Sequence, residues 1–381
     1  MTQFRVLILS DIHIGNERDF EVKTRITSAL PEVPAENHPF EALKVFLKND
    51  KIDLILNIGD LTEKGYRAGW NLGIRMLREL SLIHRCKLIS VPGNHDYCFE
   101  DGVANPCFLL KNTWNYPTDQ ESLNNKFWSD GFCVYELDTL CVLLCNSEHH
   151  LQNKEDLKKS SSFDDNLISR ISSSLKDIQS NKTKIAIMHH HITQLSDYYG
   201  NISTNDIIGK GDKLLEVLKS YGFMCVIHGH KHLPRFMEWS QLPILACGSF
   251  SSLENITVAG VPNCFHILDI INDGNIHSGS ISTFRYLNKE GGAPLEDTKS
   301  KIKGTIGLGY SLDGQKSIDK LMQNFPQEEK LLTLSKQQFM EIIPEWPYMK
   351  DDEHIKFKEE LQQNGLHLFE TKEGFNLFKT K

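Results

Sequence analysis

Short runs of branched apolar residues recur along the chain, separated by stretches whose apolar positions follow a helical period. The runs read as buried strands: when both faces of a strand are covered, no alternation with polar residues survives. The earlier ones span Phe4–Leu9, Ile52–Asn57, Lys87–Val91, Phe132–Leu137 and Leu140–Cys145. The later ones span Lys184–Met188, Met224–His228, Leu242–Cys247, Phe265–Ile270 and Ile276–Ser282. Between them, helices are predicted at His38–Asn49, with Pro39 in the first turn, and at Tyr66–Leu80, Asp165–Gln179 and Lys213–Tyr221, the last stopped by Gly222. Strands alternating with helices, then a run of strands, predict an α/β core with substantial sheet.

Two segments break this rhythm. Tyr97–Asp130 is polar, aromatic-rich and irregular, and reads as an insertion forming a lid or substrate wall; Glu148–Ser162 reads as a second insertion, a charged, Ser-rich loop, and a variable surface loop is the ordinary alternative for such segments. From about Asn288 the texture turns Gly-rich, and a helix near Ser335–Ile343, a helix near Asp351–Asn364 and a terminal hairpin turning at Glu373-Gly374 follow. The expected division is a main domain over 1–287, a linker over 288–325 and a small α+β module over 326–381.

The chemistry is positional. Five predicted strands run directly into metal-capable residues: Asp11-Ile12-His13, Gly59-Asp60, Gly93-Asn94-His95-Asp96, His189-His190-His191 and Gly229-His230-Lys231-His232. Ligands of α/β sheets bind at the carboxyl ends of the strands, so these clusters converge if the strands are neighbours. Carboxylate oxygens and imidazole nitrogens favour divalent Mn, Fe, Zn, Co or Ni over calcium. A glycine before Asp60, Asn94 and His230 is expected to let the backbone turn sharply there. Taken singly, each residue has an ordinary explanation as a turn, cap or packed polar group; their joint order does not. There is no P-loop, GxGxxG, HExxH or GxSxG.

These motifs resemble the calcineurin-like metallophosphoesterase family, whose signature runs DxH, GDxx, GNHD or GNHE, a strand-end His and GHxH, and the resemblance covers roughly residues 1–285. It implies a two-sheet β-sandwich flanked by helices (αββα) and two divalent transition-metal ions such as Mn, Fe or Zn. Asp11, His13 and His232 would hold one ion, Asn94, His189 and His230 the other, and Asp60 would bridge them, activating a water for phosphate-ester hydrolysis. His95 would be the catalytic imidazole, with Asp96 orienting it. His190 and His191 are read as lying behind the ligands or facing the substrate, His228 as having no ligand role, and His149 and His150 as surface residues.

Protein phosphatases of the family carry GDxVDRG, whereas this chain has Gly59-Asp60-Leu61-Thr62-Glu63-Lys64-Gly65. That segment looks more like the class III cyclic-nucleotide phosphodiesterase branch, implying a phosphodiester, nucleotide-like substrate. Lys64, Tyr97, Phe99, Trp114 and Tyr116 are candidates for a nucleobase pocket. The other readings are a nuclease acting with a partner protein, docked through the C-terminal module, and a non-catalytic scaffold of the same fold.

Composition narrows the partners. Of the 381 residues, 42 are basic and 50 acidic, so the net charge of −8 gives no general pull toward nucleic acid or an anionic membrane, although a local basic groove is not excluded. No apolar stretch approaches a membrane span. Nine cysteines without a CxxC pair read as reduced thiols, and with no leader-like start a cytoplasmic protein is expected.

Overall fold

The computed structural model describes residues 2–15, 24–27, 38–99, 105–151, 155–156, 161–179, 181–194, 207–253, 261–272, 277–287, 291–294, 304–309, 314–325 and 329–379. Parts of both expected insertions (100–104, 152–154 and 157–160) and of the expected linker (288–290, 295–303 and 310–313) lie outside the described residues.

The first sheet contains β1 (Thr2–Leu9), β2 (Leu54–Asn57), β3 (Lys87–Ser90), β10 (Cys264–Asn272), β11 (His277–Leu287), β12 (Gly291–Pro294) and β13 (Thr305–Gly307). Its order is β12-β11-β10-β1-β2-β3, with β13 pairing β11 beside that path. The second sheet contains β4 (Phe132–Glu136), β5 (Leu140–Cys145), β6 (Thr183–Ile187), β7 (Cys225–His228), β8 (Arg235–Trp239) and β9 (Leu242–Ala246), ordered β4-β5-β6-β7-β9-β8. Strands β1, β2 and β3 are mutually parallel, as are β5, β6, β7 and β9.

Alternate residues of each strand feed two different layers, which explains the unbroken apolar runs. Val6, Ile8, Leu54 and Leu56 meet Val142, Leu144, Ile185 and Ile187 in the core between the sheets. Leu7, Leu9 and Ile55 face outward into a second core with α1 (Pro39–Phe46) and α2 (Arg67–His84). The short α3 (Phe108–Lys111) also joins this layer through Leu110, while α4 (Glu121–Asp130) sends Phe127 into the core between the sheets. Leu143, Ala186 and Val226 face a third core with α5 (Asp165–Leu175), capped by the Asp164 carboxylate, and α6 (Gly211–Ser220). The layers are therefore helix, sheet, sheet, helix, the αββα arrangement expected.

The tail builds a fourth core from α7 (Gly314–Gln323), α8 (Lys336–Ile342), α9 (Asp351–Gln363) and a three-stranded sheet of β14 (Leu331–Ser335), β15 (Leu366–Glu370) and β16 (Gly374–Lys379). Ser335 and Gln338 form a reciprocal cap on α8. Within 288–325, β12 and β13 extend the first sheet and α7 packs into the tail core through Ile318 and Leu321.

The pattern reading missed β8, β14, α4 and α7. β8 is an edge strand that is only half-buried, and α4 buries a single side chain, Phe127, so neither carries a strong apolar period. Helix α2 outruns its expected end because Leu82 and Ile83 continue it while exposed; it stops where Arg85 turns left-handed at φ 52°. Among the described residues, no helix is long and apolar enough to cross a membrane.

Candidate metal centre

The loops following β1, β2 and β3 lie side by side because these strands are parallel neighbours, and the loops after β6 and β7 do the same on the facing sheet. Backbone bonds lash the first two loops together: the Asp11 amide donates to the Gly59 carbonyl at 3.0 Å, and the His13 amide to the Asp60 carbonyl at 2.9 Å. Side chains then tie the loops across. The His95 amide donates to Asp60 Oδ1 at 2.9 Å, and the His230 amide to Asp11 Oδ1 at 3.0 Å. Asp11, His13, Asp60, His230 and His232 all have φ between 51° and 83°. Non-glycine residues rarely adopt that region, and strain of this kind concentrates at functional sites.

The glycines act differently from the expectation. Gly59 does take the left-handed φ of 91°. Gly93 does not turn that way; it is needed because a Cβ there would stand 2.1 Å from Asp60 Oδ1, and at Gly229 a Cβ would stand 2.6 Å from Asp11 Oδ2.

Two groups of donor atoms face each other, Asp11, His13 and His232 in one and Asp60, His189 and His230 in the other, and a third, His13, Glu63 and His95, shares His13 with the first; the atoms of each lie within 4.8 Å of one another. Asp60 Oδ2 stands between the groups, 3.1 Å from His189 Nε2 and 3.6 Å from His13 Nε2. Asn94 Oδ1 lies 3.2 Å from His230 Nδ1. The donor set fits divalent cations: Asp60 Oδ2 and His189 Nε2 are buried without an aligned hydrogen bond, and His13 Nε2 faces His232 Nε2 at 2.8 Å. Such convergence of lone pairs suits borderline transition metals.

A family model for calcineurin-like phosphoesterases matches residues 4–234. The chain belongs to that family. No curated protein matches it. Among solved structures, it is similar to a dimetal phosphatase from Danio rerio (12% identity, 74% of this chain and 99% of that one, TM-score 0.46). It is also similar to GAP50, the anchor in the inner membrane complex of Plasmodium (16% identity, 76% and 86% covered, TM-score 0.43).

Within this family fold, the imidazoles are oriented by what their far nitrogens bind. His189 Nδ1 donates to the Ile58 carbonyl at 2.8 Å, which turns Nε2 toward Asp60. His13 Nδ1 donates to Glu63 Oε2 at 2.8 Å, which frees its Nε2 likewise. His95 Nδ1 donates to the Glu63 carbonyl at 2.7 Å, and its ring stands edge-on to His13 at 4.9 Å. His190 differs: its Nδ1 pairs with Glu148, and its ring lies 4.1 Å from that of His230. His191 and His228 pack on each other at 4.6 Å, both buried.

The charges are strongly coupled. Burial opposes ionising Asp60, but the charge of His189, its hydrogen bond and the charges of His95 and His13 together outweigh it and hold the carboxyl well below its usual range. Burial raises the Asp11 carboxyl, with His189 working against it. Burial also works against charging His13 and His189, yet Glu63 lifts His13 to about 9 and Asp60 lifts His189 to about 10. The cluster thus places positive charge beside its carboxylates, the role that cations fill in such sites.

Three expectations need correction. Asp96 does not orient the His95 ring: its Oδ1 accepts from the Thr62 amide at 2.9 Å and its Oδ2 from the Gly93 amide at 3.0 Å, so it ties the loop after β2 to the loop after β3. The Glu63 carbonyl orients His95 instead. Glu148 is not on a surface loop; it is 1% exposed beneath His190 and accepts from Ser147 Oγ at 2.9 Å. The aromatics do not gather into a pocket. Tyr97 and Tyr116 are buried in the α1–α2 core, while Trp114 is 76% exposed. Glu63, Glu148 and Ser249, whose hydroxyl donates to the Asp11 carbonyl at 2.6 Å, were missed as supports. Each reaches its partner across the fold, and only the acid in Gly59–Gly65 lay near enough to a motif to be suspected.

Proposed function

We propose that this chain is a dinuclear metal-dependent phosphoesterase that hydrolyses a phosphodiester, with a nucleotide or cyclic nucleotide as the substrate class. The observation that carries the reading is Asp60 Oδ2, buried between two groups of imidazole and carboxylate donors. Asp11, His13 and His232 would hold one cation, Asn94, His189 and His230 the second, and Asp60 both. Bound there, divalent cations such as manganese supply Lewis acidity toward a phosphoryl oxygen and a nucleophile at neutral pH.

The chain's own residues do the rest. His95, with Nδ1 committed to the Glu63 carbonyl, keeps Nε2 for a phosphoryl or leaving-group oxygen. Asp96 acts on the reaction only through the loops it joins. The absence of an Asp-Arg pair after Gly59-Asp60 supports a diester over a phosphoprotein substrate. The same proposal assigns catalysis to 1–287 and a partner-docking module to 326–381, joined by 288–325, whose helix α7 packs into the tail core through Ile318 and Leu321. All nine cysteines are free, and all but Cys86 and Cys98 are buried, which supports a reducing, cytoplasmic setting.

The test is hydrolysis of bis(p-nitrophenyl) phosphate and of p-nitrophenyl phosphate by the metal-loaded chain, with elemental analysis. Diester cleavage with two equivalents of transition metal, both abolished in Asp60→Ala, is the expected result. Preference for the monoester overturns the substrate class, and absence of bound metal overturns the site.

A further inference from the structure

Away from the metal centre, α2 and α3 enclose an open groove of about 840 Å³. From Arg67 to Leu82 its α2 wall is sixteen residues, spanning about 22 Å at the rise of an α-helix. That length suits an extended or helical peptide rather than a compact small molecule. Three of the large apolar side chains exposed among the described residues flank it: Leu82 at 77%, Phe108 at 52% and Trp114 at 76%. Ile74 and Leu109 form part of its apolar lining.

The rim is cationic. Arg67, Arg75 and Arg78 project from one side of α2. Arg67 and Arg75 make no ion pair among the described residues, and Arg78 stands 5.6 Å over the Trp114 ring while donating to the Trp114 carbonyl. The acid of the groove, Glu79, is taken by Lys44 at 2.6 Å. Uncompensated positive charge therefore collects on a chain whose net charge is −8. Tryptophan and arginine are among the residues most enriched where protein partners anchor.

We propose that this groove docks an acidic segment of a partner protein that inserts apolar side chains between α2 and α3. The arginines meet its carboxylates, and Leu82, Phe108 and Trp114 cover its anchors. The charge complementarity selects an acidic occupant. The apolar lining favours peptide side chains over a sugar-phosphate backbone, which would keep its charges against Ile74 and Leu109 without a partner.

The 381-residue chain is panned against a displayed library of random peptides long enough to span the groove, and enriched peptides are measured by fluorescence anisotropy. The expected result is a consensus of Asp or Glu interleaved with Leu, Phe or Trp. Binding weakens at least about tenfold in Arg75→Glu and in Trp114→Ala, is unchanged in Lys219→Glu on α6, and phosphoesterase turnover is unaffected throughout. No enrichment, or binding indifferent to Arg75→Glu and Trp114→Ala, overturns the proposal. So does tighter binding of a labelled oligothymidylate at these residues, or self-association of the chain that the same substitutions abolish.

Discussion

Replacing Gly93 by alanine perturbs the centre of the site without removing any donor atom. The new methyl would lie 2.1 Å from Asp60 Oδ1 and 2.6 Å from the Asp60 amide nitrogen. Ordinary carbon–oxygen contacts begin at about 3.3 Å, so the deficit is roughly 1 Å. Rotating the carboxylate alone does not relieve it, because the Asp60 backbone is also in the way and Oδ1 is held by the His95 amide at 2.9 Å. The loops after β2 and β3 must separate, which moves Oδ2 away from its position 3.1 Å from His189 Nε2. Overpacking of this kind costs about 1–3 kcal/mol of stability. A misplacement of about 1 Å at a reacting centre costs on the order of 100-fold in rate. Gly93→Ala is thus expected to fold, to melt a few degrees lower, to bind manganese more weakly by calorimetry and to hydrolyse bis(p-nitrophenyl) phosphate about 100-fold more slowly per folded molecule. Parental turnover and parental manganese affinity in a folded Gly93→Ala protein would refute the contact-based reasoning.

Further outcomes follow from other residues. Glu63→Gln keeps the shape beside His13 but removes the carboxylate at 2.8 Å, so cation affinity measured by calorimetry is expected to fall about 10–100-fold with little change in folding; undiminished affinity would show that Glu63 does not hold the ring. His266 is buried on β10, where burial pushes its pKa down to about 3, whereas the unfolded chain titrates near ~6.5. The unfolded state therefore takes up a proton that the folded state refuses. This contribution to stability is intact above pH ~6.5, falls by about 1.4 kcal/mol per pH unit below it, and levels out under the folded value. Urea melts of the chelator-treated protein between pH 4 and 6 should lose about one proton of slope in His266→Gln, and identical slopes would contradict the assignment. Ile8→Ala, in the core between the sheets, is expected to cost about 2–5 kcal/mol in the same melts, and a cost under 1 kcal/mol would mean that the sheets close over the cavity.

The order of strands and helices and the layered α/β class were legible because burial on both strand faces writes itself into the local sequence. The strand-end residues were legible for a related reason. The backbone at the end of a buried parallel strand is fixed by its neighbours, so the residues that directly follow the strand open at the carboxyl end of the sheet. Hence Asp11, Asp60 and Asn94 from one sheet and His189 and His230 from the facing sheet meet at one end of the sandwich.

What hydrogen-bonds to those side chains was decided only in three dimensions. Glu63 faces His13 from 50 positions away and Glu148 faces His190 from 42, and no local period encodes either meeting. Asp96 sits next to His95 in sequence, yet a tight turn sends its carboxylate to Thr62 and Gly93 instead. Tyr97 and Trp114 carry the same aromatic signal in the chain, but Tyr97 turns into the core with α1 and α2 while Trp114 stands 76% exposed. Local sequence settles which backbone conformations are affordable; which polar atoms then face one another depends on how the two sheets and their helices pack, a property of the whole chain.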